Sequence, residues 1–215
     1  MKKILKVVLI VFLALVILVV VGVAILIGLA NEKNNNYFKH TTPGGDIESK
    51  YTALGSYEVS FEEFDAGDDL CKKYSVWYPS ELKESGKSYP MVVIANGTGM
   101  KASSFSAVYN HLASWGFIVV GNDDGNSRTG ASSAATLDFM LGLNEDEASD
   151  FFRKIDTENI GIAGHSQGGV GAINAVTEQE NGSMYKAICA QSTTSSAVAS
   201  ALNLLLSCTS ELPLL

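Results

Sequence analysis

The sequence predicts an α/β fold with a mainly parallel central sheet, preceded by one transmembrane helix. Three observations predict it. Residues 91–95, 117–120 and 160–163 are short, continuous apolar runs, and residues 185–190 are apolar but for Lys186, the pattern of strands covered on both faces. Segments with helical patterning separate them, and strands alternating with helices of about 10–15 residues make βαβ units and a parallel sheet. Residues 7–30 form an uncharged run made almost wholly of Val, Leu, Ile and Ala.

That N-terminal run follows Lys2, Lys3 and Lys6. As a helix rising about 1.5 Å per residue it is roughly 36 Å long, enough to cross a hydrocarbon core of about 30 Å. A cleaved signal peptide also begins with lysines, but its apolar stretch is usually about 7–15 residues and ends at a small-x-small site. Length favours an uncleaved signal anchor, and Gly28-Leu29-Ala30 remains the alternative cleavage site. The lysines keep their end in the cytoplasm, so the expected location is the cell membrane, single-pass, with the domain outside.

The whole chain carries a net charge of −8, and with the three lysines of the first 30 residues set aside the rest carries −11. An acidic domain without a basic stripe argues against nucleic acid as a partner. Hydrophobic residues at 47% and charged residues at 18% are a globular composition rather than a disordered one. Cys71, Cys189 and Cys208 have no CxxC spacing and no histidine cluster beside them, which leaves no zinc site. Buried thiols are the expected state. A disulfide from Cys71 is open outside the cell, with its partner undetermined.

The chain divides on this reading into an anchor over residues 1–30, a polar stalk over 31–55, an α/β domain over 56–193 and an atypical tail over 194–215. The domain opens with two alternating segments. Tyr57, Val59 and Phe61 alternate with Glu58, Ser60 and Glu62, a half-buried strand, and Tyr74, Val76 and Tyr78 repeat the pattern up to Pro79. A charged loop over 80–89 leads to the apolar strand over 91–95. After the turn Asn96-Gly97-Thr98-Gly99 come a helix over about 103–115, the second apolar strand, and the loop 122–126. A helix follows over 131–143, with helical structure continuing through 146–154. The third apolar strand is broken by Gly164, and a helix over about 168–179 leads to the fourth apolar strand.

One motif carries the chemistry. Gly164-His165-Ser166-Gln167-Gly168, followed by Gly169, lies directly after a buried strand and directly before a helix, the context a nucleophile elbow requires. The serine there sits in a sharp, strained turn, and side chains two residues to either side collide with the adjoining strand and helix. The alternative is a tight strand-to-helix turn whose serine only caps the helix. Acyl transfer also needs two N–H donors aimed at the oxyanion, one after the nucleophile and one from the loop after an earlier strand. The turn at residues 96–99 supplies that second loop in the right place.

With these pieces, residues 77 to about 192 resemble the α/β-hydrolase superfamily, in particular its branch of cutinase-like polyester hydrolases, dienelactone hydrolases and chlorophyllase-type enzymes. The resemblance rests on residues 89–99, on residues 112–120 (Leu-Ala-Ser-Trp-Gly-Phe-Ile-Val-Val), and on the strand and elbow over 160–169. It implies a three-layer α/β-hydrolase fold and Ser166 as the nucleophile of a serine esterase. It implies the backbone N–H groups of Thr98 and Gln167 as the oxyanion hole, a small or polymeric ester as substrate, and no metal or organic cofactor. Asn96 stands where many relatives have histidine, a departure of no consequence if the loop works through its backbone.

In that fold the acid and the histidine follow the nucleophile. The 49 residues after Ser166 include Glu178, Glu180 and Glu211 but no aspartate and no histidine. His165 adjoins the nucleophile and is expected to point away from it, His111 lies in a helix and His40 in the stalk. Asp123 and Asp124 precede Ser166 and are expected to shape their loop. The expectation is a C-terminally truncated domain that lacks its last strands and has impaired turnover. The alternative is a non-catalytic, membrane-anchored surface protein that uses the scaffold for binding.

Overall fold

A computed structural model describes residues 2–193. Residues 194–215, read above as an atypical tail and including Cys208 and Glu211, lie outside the described residues. The chain divides between Ala53 and Leu54 into two compact units. In the first, the apolar run forms the long helix α1 (Lys2–Asn35), of which residues 6–33 are long and apolar enough to cross a membrane. The stretch read as a stalk begins inside that helix. It continues through a 3₁₀ turn at Tyr37–Lys39 to a short helix, α2 (Asp46–Thr52), whose first turn carries Asp46 and Glu48. Acids there suit the positive end of a helix dipole.

Among the described residues the second unit has six strands: β1 (Val59–Asp65), β2 (Lys73–Pro79), β3 (Tyr89–Ala95), β4 (Ile118–Asn122), β5 (Ile155–His165) and β6 (Tyr185–Gln191). Their order is β1-β2-β4-β3-β5-β6, with β1, β2 and β4 antiparallel in succession and β4, β3, β5 and β6 parallel. The expected mainly parallel sheet, with its antiparallel strands first, is what forms. Helices α3 (Ser106–Ser114), α4 (Ala131–Glu145) and α5 (Gln167–Thr177) make the crossovers.

Alternation along β3 shows the three layers. Met91, Val93 and Ala95 pack with Leu137 and Met140 of α4 and with Ala172 and Ala175 of α5. On the other face Val92 and Ile94 pack with Tyr109 and Ala113 of α3. Each large side chain so buried contributes about 1.5–3 kcal/mol. β2 is therefore not half-buried, because residues 74–79 are covered on both faces. In β1 the alternation holds but its burial does not. Phe61 is 50% exposed, tilted against Trp77 at 4.5 Å between ring centroids, since β1 is an outer strand that α3 only partly covers.

Three further expectations change. Residues 146–154 do not continue the helix but form turns. The Asp146 side chain accepts from the Ala148 N–H at 2.9 Å and the Ser149 hydroxyl oxygen from the Phe151 N–H at 3.0 Å. Such local bonds compete with helix propagation. β5 is not broken by Gly164, which pairs with Ala95 on one side and Ala190 on the other. β6 is not buried beyond Tyr185. Among the described residues it is paired only with β5. On the α3 side, an open apolar groove of about 650 Å³ runs between Val92, Ile94, Phe105 and Leu112 and the exposed Ala187 and Ile188. An apolar run shows that a strand is able to be buried; the layers beside it decide whether it is.

Candidate active site

At the C-terminal end of β5 the backbone turns abruptly. Ser166 has φ 57° and ψ −122°, between the last strand residue His165 and the first helical residue Gln167. Few non-glycine residues adopt such angles, and holding them costs about 1–3 kcal/mol. Two bonds hold the turn. The Ser166 N–H donates to the Gln191 carbonyl at 2.9 Å, and the Ser166 carbonyl accepts from the Gly169 N–H at 3.0 Å to start α5. The Ser166 side chain makes no cap bond to the helix, so the serine-as-cap alternative does not describe it. Its hydroxyl is left at the positive end of an 11-residue helix, where developing negative charge is favoured.

The glycines around the serine are required by contact. A Cβ on Gly164 would strike the Gly168 carbonyl oxygen and lie 2.9 Å from the Gly169 nitrogen. On Gly168 it would strike the Ala95 carbonyl oxygen and lie 2.8 Å from the Asn96 carbonyl carbon. On Gly169 it would lie 2.6 Å from the Thr193 methyl group and 2.9 Å from the Gln191 carbonyl oxygen. The elbow is thus pressed against both the end of β3 and the end of β6.

The contact with residues 95 and 96 brings the loop after β3 beside the elbow. This loop turns tightly, with the Met100 N–H donating to the Gly97 carbonyl at 3.0 Å and Gly99 at φ 68°, the position that type II turns give to glycine. Gly97 sits against the His165 carbonyl, 3.5 Å from where its Cβ would be. Thr98 is exposed and Ser166 and Gln167 are half-buried, so this corner opens to solvent. Among the described residues the Thr98 and Gln167 N–H groups donate no hydrogen bond.

The remaining candidates lie elsewhere. His165 is exposed and contributes to the wall of the apolar groove, which Ser166, Thr98 and Gln167 do not line. His111 is on α3 and His40 precedes α2. Among the described residues no histidine is hydrogen-bonded to the Ser166 hydroxyl. Asp124 is buried, and its carboxylate accepts from the Asn126 N–H at 2.8 Å, so it shapes its own loop. Among the described residues no three His, Cys, Asp or Glu side chains come together as metal ligands.

Residues 47–211 match the family described as PET hydrolase-like, three quarters of the chain and the whole of the elbow and the β3 loop. The chain belongs to the PET hydrolase-like family. The match begins inside the segment read as a stalk and ends inside the segment read as a tail. Over 131 residues the chain is 28% identical to "Cutinase est1" of Thermobifida alba, covering 58% of this chain and 42% of that protein. Over 106 residues it is 31% identical to "Bis(hydroxyethyl) terephthalate hydrolase" of Streptomyces coelicolor, covering 47% and 32%. The chain therefore spans less than half the length of either relative. Membership of the PET hydrolase-like family agrees with the cutinase-like branch that the elbow and loop resemble.

Sequence reasoning missed a buried polar cluster behind the β3 loop, formed by Asn96, Asn122, Ser127 and Thr136. The available signal was an asparagine at the end of each of two apolar strands, where a buried carboxamide must find partners.

Proposed function

We propose that this chain is a serine carboxylic-ester hydrolase of the PET hydrolase-like family, with Ser166 as nucleophile and the Thr98 and Gln167 backbone amides as oxyanion hole. The observation that carries the proposal is the positive-φ turn at Ser166, pressed through Gly168 against the loop that bears Thr98. In the reaction, Ser166 Oγ bonds to the ester carbonyl carbon, and its proton passes to solvent, which returns one to the departing alkoxide. The carbonyl oxygen becomes an oxyanion facing the two amides, and collapse expels the alcohol. Water then releases the acid from the acyl-enzyme. The names of the relatives support a small or polymeric ester as substrate.

Turnover is expected to be weak in this chain. Among the described residues no imidazole is hydrogen-bonded to the Ser166 hydroxyl. In a serine protease, loss of the base costs about 10⁶ in turnover, leaving about 10³–10⁴ over water. That same observation favours a second reading, a non-catalytic surface protein that keeps the scaffold for binding. Labelling with a fluorophosphonate decides between them. Ser166-dependent labelling is expected for the hydrolase, whereas equal signal from the native chain and Ser166→Ala would remove Ser166 as nucleophile.

α1 supports a single-pass anchor with the domain outside the cell, because three lysines precede its apolar span. After alkaline carbonate extraction the chain is expected in the membrane pellet at full mass. A soluble form shortened by about 30 residues would instead show a cleaved signal.

A further inference from the structure

Asn96 lies one residue past β3 and two before Thr98, and it is 0% exposed. Burying a carboxamide is costly unless it is hydrogen-bonded. Its amide nitrogen faces three acceptors at the end of β4 and in the loop after it: the Asn122 carbonyl at 2.7 Å, the Asn122 side-chain oxygen at 3.2 Å and the Asp124 carbonyl at 3.0 Å. Two amide hydrogens shared among three oxygens leave little rotational freedom. Its main chain is held as well, because the Asn96 carbonyl accepts from the Ser127 hydroxyl at 2.6 Å. Asn122 is itself anchored, donating to the Ser132 carbonyl at 3.2 Å and to Thr136 Oγ1 at 2.9 Å, both on α4. Beyond Thr98, the Gly99 N–H donates to the Gly125 carbonyl at 2.8 Å.

The turn bearing Thr98 is therefore bonded on both sides to the loop after β4, and through Asn122 to α4. On the opposite side Gly168 packs against the Asn96 carbonyl carbon. Asn96 thus lies between the β4 loop and the N-terminus of α5, two residues before Thr98. Preorganised donors act because they do not have to move when charge develops, and a misplacement of about 1 Å costs about 10²-fold.

We propose that Asn96 is the positioning residue of this site, its buried carboxamide fixing the Thr98 N–H opposite Ser166 by tying the β3 loop to the β4 loop. This rests on the reading of Ser166 as nucleophile and adds to it a residue that never touches substrate. The Asn96 backbone alone does not do this work: the side chain supplies the bonds to Asn122 and Asp124.

The test is the kinetics of fluorophosphonate labelling of the full chain in detergent. In that reaction Ser166 Oγ bonds to phosphorus, the P–F bond breaks, fluoride departs and the hydroxyl proton passes to solvent. Asn96→Ala is expected to lower the maximal labelling rate about 10–100-fold while the half-saturating probe concentration stays within about twofold. Asn96→His, which keeps an N–H donor, is expected to recover most of the loss. Ser127→Ala leaves the carboxamide in place and removes one bond, with an expected drop of about 3–10-fold. A maximal rate for Asn96→Ala within about twofold of the native chain overturns the proposal, as does a change confined to half-saturation. If Asn96→Ala fails to fold, Asn96→Ser, which removes the donating amide nitrogen but keeps a small polar side chain, decides by the same two criteria. Equal labelling of the native chain and Ser166→Ala is a different failure: it overturns the nucleophile reading, and this proposal with it.

Discussion

Gly168 of α5 meets Ala95 of β3 with no room for a methyl group between them. A Cβ on Gly168 would strike the Ala95 carbonyl oxygen and lie 2.8 Å from its carbonyl carbon. This approach, rather than turn geometry alone, sets the spacing of the elbow motif, because it seats the N-terminus of α5 against the loop that carries Thr98. Gly168→Ala is expected to lower unfolding free energy by about 3 kcal/mol, since neither backbone is able to give way. Gly97→Ala is the control. Its Cβ would meet neighbours at 3.5 and 3.6 Å, ordinary contact distances, and a change within about 1 kcal/mol is expected. Urea denaturation of both variants checks the contrast; equal losses would show that the close approach is not what constrains residue 168.

The turn at Ser166 stores strain, and glycine relieves it. At φ 57° and ψ −122° a Cβ is unfavourable whatever side chain it carries. Ser166→Gly is expected to be more stable than Ser166→Ala by about 1 kcal/mol, net of the extra chain entropy of glycine when unfolded. Both variants are expected to lose fluorophosphonate labelling. Superimposable denaturation curves for the two would show that the turn is unstrained.

Tyr109 of α3 is fully buried, and among the described residues its hydroxyl has no hydrogen-bond partner. It lies against Gly121 of β4, where a Cβ would strike the hydroxyl and sit 3.0 Å from Cζ. Tyr109→Phe is expected to stabilise by about 1 kcal/mol, because it removes an unsatisfied polar group. Gly121→Ala is expected to destabilise by about 2 kcal/mol. Combining the two should recover much of that loss, and simple additivity of their effects on thermal unfolding would deny the contact.

Burial raises the pKa of Tyr74, Tyr109 and Tyr185, with smaller contributions from Cys71, Asp123 and Asp138 respectively. Each phenol keeps its proton more tightly folded than unfolded. Below about pH 10, the ordinary phenol value, both states are protonated and the contribution is complete. Above it the unfolded chain releases protons that the folded chain retains, so stability falls as pH rises. Urea midpoints measured from pH 9 to pH 11.5 are expected to fall at the alkaline end, less steeply for Tyr109→Phe. A flat profile would mean that these rings are solvated.

Much of the fold was legible because its signals are local. The runs over 91–95 and 160–163 are apolar without alternation, the pattern that a strand with a helix on either face uses. Gly164, Gly168 and Gly169 around Ser166 marked the site because they form one contiguous motif between strand and helix, although only the contact that constrains Gly164 is local. The turns over 146–154 were missed because Asp146 and Ser149 suit a helix surface as well as they suit a local side-chain bond. The exposure of Phe61 and Ile188 was equally hidden, since no residue in β1 or β6 records how far α3 extends across the sheet.

By itself the sequence determined the order of strands and helices, the apolar span over residues 7–30, and the position of the serine between strand and helix. Tertiary structure alone decided that Ala95 and Gly168, 73 residues apart in the chain, form one corner, and that Asn96 is bonded to Asn122 behind it. The physical reason is range. Periodicity and turn chemistry act over a few residues, whereas the fit of one backbone carbonyl against a glycine exists only after the sheet has brought β3 beside β5.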